Sequence, residues 1–159
     1  SEAAGKLFAS IAERIDGGVG IADAPQTIIL EYRAKKRPIP GYGHPLHKKV
    51  DPRVQRLFDV AGEAGGTGRH VQIALDVEAR LPDLVGKRLA LNVSGAIPAV
   101  LLDVGYPLAA LKGIPILART AGLIAHLLEE QQHAIGFVMS HAAAEAIDYD
   151  GDVPAGFEA

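Results

Sequence analysis

The sequence predicts an all-α fold, a bundle of six or seven helices without a sheet. Apolar residues recur three and four positions apart in every long segment, which is the spacing of one helix face. Hydrophobic residues make up 48% of the 159 residues but aromatic residues only 5%, so aliphatic side chains must form most of the core. No segment alternates apolar and polar residues as a half-buried strand does. Helices packed on helices are therefore the expected architecture.

Three helices are predicted before residue 68. The first ends at Gly17-Gly18, because paired glycines stop an amphipathic helix. Asp23 is predicted to cap the second helix through its side chain. Asp51-Pro52 starts the third, since proline is tolerated in the first turn, and the glycines of 62–68 end it. A loop over 36–50 joins the second and third helices.

The rest of the chain predicts three or four further helices. Residues 70–79 carry apolar positions at helical spacing and form the fourth. The fifth runs from Ser94, whose hydroxyl is a good N-cap, to about Val104. The sixth and longest covers 113–132, and a weaker pattern over 139–147 is compatible with one more short helix.

The most informative segment is the loop that runs from Arg37 to Arg53 with the sequence RPIPGYGHPLHKKVDPR. Its prolines restrict φ and its glycines permit turns that other residues resist, so the loop has a defined shape. It places His44 among basic residues. Such an arrangement can polarise a carbonyl group while binding phosphates or carboxylates.

Composition and charge exclude several classes of function. The net charge of −3 does not fit a protein that binds nucleic acid or a membrane surface, so the basic residues of 33–37 and 47–53 indicate a small anionic ligand. The absence of cysteine excludes disulfides and thiol catalysis and is typical of a cytoplasmic protein. We expect no membrane span, because Arg119 and His126 interrupt the longest apolar run, 113–128.

Three motifs resemble those of the citrate synthase family and occur in that family's order. They are PGYGH followed nine residues after its histidine by an arginine (40–53), LNVSGAIPAVLLDVGYP (91–107) and ILARTAGLIAH (116–126). The sequences GHPLHK and DPR are similar to those of the citryl-CoA lyase branch of that family. The resemblance implies that 1–108 corresponds to the family's small domain and 109–159 to C-terminal helices of its large domain. The chain would then be the C-terminal portion of a family member.

The resemblance also implies an activity and the residues that carry it. The activity is the making or cleaving of a C–C bond between a 2-oxo acid such as oxaloacetate and an acyl-coenzyme A, by a homodimer. His44 would hydrogen-bond the carbonyl or hydroxyl oxygen of the substrate, while Arg53 and Arg119 would bind its carboxylates. The residues implied in binding the coenzyme A thioester are Ile39, Pro40, Gly41, Tyr42, Gly43, His47, Lys48 and Lys49.

Ser94 departs from the family pattern at the position of the catalytic base. The family has an aspartate directly after Asn-Val, and a hydroxyl cannot replace it without an activating base. Asp76 and Asp103 are acids of the right type outside the motif. The family also uses a second histidine from a segment that precedes these motifs. The other histidines of this sequence do not stand in a matching context.

Two hypotheses therefore stay open at this stage. In the first, the chain is part of a lyase or synthase. In the second, it is a degenerate homologue that binds acyl-coenzyme A or a partner protein without catalysis. We expect no metal ion in either case, because His126 and His133 would share a helix face without an obvious third ligand.

Overall fold

The computed structural model describes residues 1–148, 150–152 and 155–156, and this part of the chain is all-helical. The described residues form no strand, which confirms the predicted fold class. The helices are α1 (Glu2–Asp16), α2 (Asp23–Ala34), α3 (Pro52–Glu63), α4 (Arg69–Val85), α5 (Val93–Asp103), α6 (Gly113–Gln132) and α7 (Gly136–Glu145), with a 3₁₀ turn at Leu108–Ala110. α4 is longer than predicted, because Leu81 is fully buried and continues the apolar face of Val77.

The first compact unit, Ser1–Ile116, is organised around α1 and α4. α1 packs against α2, α4 and α5; α4 packs against α2 and α5; and α3 packs against α5. Each large apolar side chain buried here stabilises the fold by about 1.5–3 kcal/mol relative to its exposed state. The fully buried ones include Phe8, Ile11, Ile29, Val77 and Leu81. This core fixes the positions of α3 and α5, which flank the proline- and glycine-rich loop.

The two predicted N-caps are wrong. Ala22, not Asp23, precedes α2 as its N-cap, because a turn in which Asp23 N–H donates to the Gly20 carbonyl starts the helix one residue earlier. Ser94 lies inside the first turn of α5, and Asn92 caps that helix by accepting from the Gly95 N–H at 3.2 Å. Asp51, which the sequence places at the start of α3, caps that helix by accepting from the backbone N–H of Arg53.

The loop is attached to the start of α5 by a close contact of two backbones. An isolated antiparallel bridge joins Tyr42 to Leu91, and the Asn92 N–H donates to the Gly41 carbonyl at 2.9 Å. A Cβ on Gly95 would lie 2.7 Å from the Gly41 carbonyl oxygen, and Gly41 itself has φ +93°. Glycine is therefore required at both positions, one for space and the other also for its left-handed conformation.

The second unit covers Leu117–Ala159, and its described helical residues are exposed except for the partly buried Glu130. Its apolar side chains include Leu117, Leu123, Ile124, Leu127, Leu128, Phe137 and Val138, all more than half exposed. The boundary between the units falls within α6, whereas the sequence predicts a domain boundary at 108/109; that domain assignment stays a prediction.

One helical stretch, Leu108–Gln132, is long and apolar enough to cross a membrane by length and composition, with a mean hydropathy of 1.5. Core helices of water-soluble proteins have the same two properties. Length and hydropathy therefore do not assign this stretch to a bilayer.

We predict that Gly95→Ala lowers the free energy of unfolding by about 1–3 kcal/mol, because the new methyl group meets backbone atoms of Gly41 that are hydrogen-bonded in place. Urea unfolding followed by circular dichroism measures the change. Gly62→Ala in α3 is the matched control, since a Cβ there meets no atom of the described chain within 4 Å. The control should be neutral or more stable by about 0.5–1 kcal/mol. Equal effects of the two substitutions would contradict the steric explanation.

Candidate active site

Asp51 is a buried carboxylate that connects three segments of the site. It is 1% exposed, and it accepts from the Arg53 N–H at 3.1 Å and from the Val93 N–H at 3.0 Å. The Arg53 side chain donates to both of its oxygens, from Nε and Nη2, each at 2.8 Å. The Arg53 guanidinium, with the backbone N–H groups of Val93 and Arg53, holds the pKa of Asp51 well below its ordinary value despite burial. The start of α3 and the start of α5 therefore meet at one anion.

Arg53 is held in a fixed orientation but remains accessible. Its side chain is 49% exposed although Asp51 binds it through two parallel hydrogen bonds. The Asp51 carboxylate raises the pKa of the guanidinium above its ordinary value. Nε and one Nη2 hydrogen are used by Asp51, so Nη1 and the second Nη2 hydrogen remain as donors for a ligand. A planar group held in this way can bind a carboxylate without first being ordered.

His44 presents one particular nitrogen toward Arg53. Its Nδ1 accepts two backbone hydrogen bonds, from the N–H groups of Leu46 and His47, each at 3.1 Å. An Nδ1 that accepts carries no proton, so the neutral ring is protonated at Nε2. Nε2 lies 3.4 Å from Nη2 of Arg53. Two donors cannot hydrogen-bond each other, so the pair is arranged to share an acceptor oxygen.

Ser94, from the motif at 91–107, lies in the same region of the fold as His44 and Arg53. Val93 next to it donates to Asp51, and the Asn92 side chain donates to the Gly43 carbonyl at 2.7 Å. Ser94 itself is exposed in the first turn of α5. The structure therefore brings the His44 loop, Arg53 and the Ser94 turn together around Asp51.

The stretch predicted to bind coenzyme A divides into buried and exposed residues. Ile39 and Tyr42 are each 8% exposed, and the Tyr42 hydroxyl donates to the Ala74 carbonyl, so both side chains belong to the core. Lys48 and Lys49 are exposed. His47 is partly buried and packs its ring against His44 with the centroids 4.8 Å apart. The residues of this stretch open to a ligand are therefore the two exposed lysines and the partly buried Pro40, Gly41, Gly43 and His47.

Arg119 lies on α6 in the second unit, and its side chain is exposed. Its apolar neighbours Leu117, Leu123 and Ile124 are exposed as well. The structure therefore does not bury this arginine, and its role as a second carboxylate ligand stays a prediction.

The two acids considered as substitutes for the missing base have structural partners. Asp103 accepts at 2.7–3.0 Å from the backbone N–H groups of Gly68, His70 and Val71, and His70 Nδ1 lies 2.8 Å away. It caps α4 from a neighbouring helix, because Gly68 at the N-cap has no side chain. Asp76 accepts from Gln72 one turn away on α4.

The sequence places Asp51 at the start of α3 but does not reveal its further contacts. A charged residue with no exposed surface needs partners, but Val93 lies 42 positions further along the chain. The only local signal is the spacing Asp-Pro-Arg, which lets an N-cap carboxylate also reach the arginine side chain two residues later.

Two surface depressions border the site, one lined in part by Asp51 and the other by Arg53. One of about 190 Å³ lies behind Asp51 between α3 and α4, where Lys49 and Arg88 supply positive charge and Glu78 negative charge. A second, open depression of about 480 Å³ follows the exposed side of α3 from Arg53 to Val60. The described residues contain no cluster of three metal-ligating side chains.

Comparison with known proteins agrees with this arrangement. A family model described as the citrate synthase C-terminal domain matches residues 2–136. The chain belongs to the citrate synthase family. Its structure is similar to citryl-CoA lyase from Hydrogenobacter thermophilus, with a TM-score of 0.75 and 33% identity over 98% of this chain and 59% of that chain.

Two further relatives are more distant. ATP citrate lyase from Methanothrix soehngenii, solved in complex with citrate and coenzyme A, shares the fold with a TM-score of 0.70 at 24% identity, over 99% of this chain and 27% of that chain. A citrate synthase-like protein of Phoma sp. is 28% identical over 123 residues, which are 74% of this chain and 26% of the relative. The chain therefore spans about a quarter of that curated relative's length.

We predict that Asp51→Asn flattens the acid limb of the stability–pH profile. The folded-state pKa of Asp51 is depressed, so its contribution is fully present above the unfolded carboxyl pKa of about 3.9 and is lost as the pH falls toward the folded value. At neutral pH the variant should lose about 1.5–3 kcal/mol, the usual range for a hydrogen bond to a charged group. Urea unfolding from pH 7 down to strongly acid buffer measures both the loss of stability at neutral pH and the change in its pH dependence.

Asp59→Asn is the control for this prediction. Asp59 is an exposed carboxylate on the same helix, bound only by Gln55 at 2.8 Å among the described residues. It should change neither the neutral stability nor the acid limb. If Asp51→Asn behaved like Asp59→Asn, the buried carboxylate would not connect the site.

Proposed function

We propose that this chain is the substrate-binding part of a citryl-CoA lyase or citrate synthase-like enzyme. The reaction makes or cleaves a C–C bond between a 2-oxo acid and an acyl-coenzyme A. The observation that carries the proposal is the 3.4 Å approach of two donors, Nε2 of His44 and Nη2 of Arg53. An oxygen that accepts from both would satisfy them, and 2-oxo and 2-hydroxy acids offer such an oxygen next to a carboxylate.

The two donors suit the charge that such a reaction develops. When the C–C bond of a citryl group breaks, its tertiary hydroxyl loses a proton and becomes a ketone; in the reverse direction the ketone oxygen gains negative charge. A donor fixed at His44 Nε2 stabilises that oxygen in the transition state. Arg53, already ordered by Asp51, binds the adjacent carboxylate. Arg119 would bind a further carboxylate.

The coenzyme A thioester is proposed to bind along residues 39–49. Lys48 and Lys49 are exposed cations next to His44, and the compact ammonium group suits phosphate. A further depression of about 130 Å³ is lined by Glu31, Tyr32, Lys35 and Arg37, so its two cations outnumber its one carboxylate. The cations fit a polyanionic co-substrate; the solved relatives named above include a complex with coenzyme A.

The proposed reaction needs a general base, and Ser94 stands at the position where the family has one. Proton transfer to or from the carbon next to the thioester needs a base, and the Ser94 hydroxyl has no carboxylate or imidazole hydrogen-bonded to it within the described chain. The observation supports the second hypothesis, a homologue that binds coenzyme A thioesters without turnover. The homodimer and the cytoplasmic location stay predictions; the exposed apolar side chains of the second unit are of the kind that oligomer contacts cover.

We predict little turnover by the wild-type sequence and a gain from Ser94→Asp. The variant places a carboxylate at the position of the family's base, and a positioned general base contributes roughly 10²–10⁴-fold to rate. Aspartate in the first turn of α5 is also tolerated by the helix dipole. Cleavage of citryl-CoA is followed by the oxaloacetate released, in the longest natural polypeptide that contains these residues. The reverse reaction is followed by the oxaloacetate consumed. If the citryl-CoA formed is then hydrolysed by water, the thiol of coenzyme A is released and can be detected, because this sequence has no cysteine to interfere.

A binding titration with coenzyme A separates the two hypotheses. Binding without turnover in both wild type and Ser94→Asp favours the non-catalytic homologue. Lys48→Ala with Lys49→Ala should weaken binding, while Lys6→Ala, an exposed lysine on α1 paired with Glu2, should not. Absence of coenzyme A binding together with absence of turnover would overturn the proposed function.

A further inference from the structure

We propose that His47 is a positioning residue, whose imidazole ring holds the His44 ring in the orientation that presents Nε2 beside Arg53. This inference rests on the proposed function for its biological meaning. The resemblance instead places His47 among the residues that approach coenzyme A. The geometry of the loop indicates a different role for His47, which is to position the His44 ring.

His47 contacts His44 on both an edge and a face. Its backbone N–H donates to Nδ1 of His44 at 3.1 Å. Its own ring packs against the His44 ring with centroids 4.8 Å apart and planes inclined by 32°. A single residue therefore restrains the ring at its nitrogen and along its plane. Aromatic rings with centroids about 4.5–7 Å apart attract each other beyond their burial of area.

The burial pattern of the segment supports this assignment. Pro45, Leu46, Lys48, Lys49 and Val50 are all exposed, and Leu46 is 82% exposed. His47 is the one residue of 45–50 that is partly buried. A side chain that served mainly to meet phosphates in solution would be exposed as its lysine neighbours are. The His47 side chain is instead turned onto the ring of His44.

The restraint matters because an imidazole ring can rotate. A half-turn about the Cβ–Cγ bond exchanges Nδ1 with a carbon and moves Nε2 to the place of the other ring carbon. A C–H would then lie where the N–H donor beside Arg53 is needed. The two backbone bonds to Nδ1 oppose this rotation, but one of them comes from Leu46, an exposed residue whose N–H can also bind water. The packed His47 ring restrains rotation and keeps water from one face.

The test compares His47→Ala, which removes the ring, with His47→Phe, which keeps an aromatic face and the backbone N–H. Leu46→Ala is the control, because it also keeps its N–H donor and changes only an exposed side chain. The readout is the set of ring ¹⁵N and ¹H NMR signals of His44 in the full 159-residue chain, in mildly alkaline buffer. These signals report which nitrogen carries the proton and whether the ring is mobile.

We expect wild type, His47→Phe and Leu46→Ala to show one ring environment with the proton on Nε2. His47→Ala should show mixed tautomers or exchange broadening, and its affinity for citrate should fall several-fold. Unfolding midpoints are measured alongside. If His47→Ala fails to fold, His47→Gln takes its place, since it keeps length and polarity without a ring.

The proposal is overturned if His47→Ala leaves the His44 ring signals unchanged. It is also overturned if His47→Phe loses coenzyme A binding while those signals stay as in wild type, because His47 would then contact the ligand itself. Failure of the proposed function gives a different result: wild type would not bind citrate, yet the His44 signals would still depend on residue 47.

Discussion

The buried Asp51 carboxylate is the interaction on which the site depends. It satisfies the first N–H of α5 through Val93, caps α3 and orders the Arg53 side chain with two parallel hydrogen bonds. Burying a carboxylate is costly unless it is paired and hydrogen-bonded, and here each of its oxygens has donors. Because the same anion binds two helix starts and the Arg53 side chain, the loop, α3 and α5 cannot shift independently.

This arrangement separates binding from proton transfer. His44 and Arg53 are ordered by backbone and carboxylate partners before any ligand arrives, so little conformational entropy is lost when an oxygen binds between them. Ser94 occupies the neighbouring turn with an exposed hydroxyl. On the proposed function, the chain would keep the electrostatic part of a C–C bond-forming or bond-cleaving site, while Ser94 at the position of the family's base would not supply one.

Local patterns predict the helices well and the contacts between them poorly. Helical spacing of apolar residues and the glycine breaks predict the helices of the described residues with their approximate limits. The family motifs single out His44 and Arg53 but do not indicate that the two side chains lie next to each other. Ser94 was misassigned as a cap because Asn92, two residues earlier, is also a good cap, and because the Val93 N–H is bound by Asp51. That bond joins residues far apart in sequence, so no local pattern reveals it. The exposure of Arg119 likewise depends on packing.

The most direct test is a crystal structure of the chain with citrate bound. We expect one citrate oxygen within hydrogen-bond distance of both His44 Nε2 and Arg53 Nη2, with Asp51 still bound to Nε and Nη2 of Arg53. Citrate bound elsewhere would contradict it. So would a structure in which Arg53 leaves Asp51 to reach the ligand, because the arginine would then not be held in place before binding.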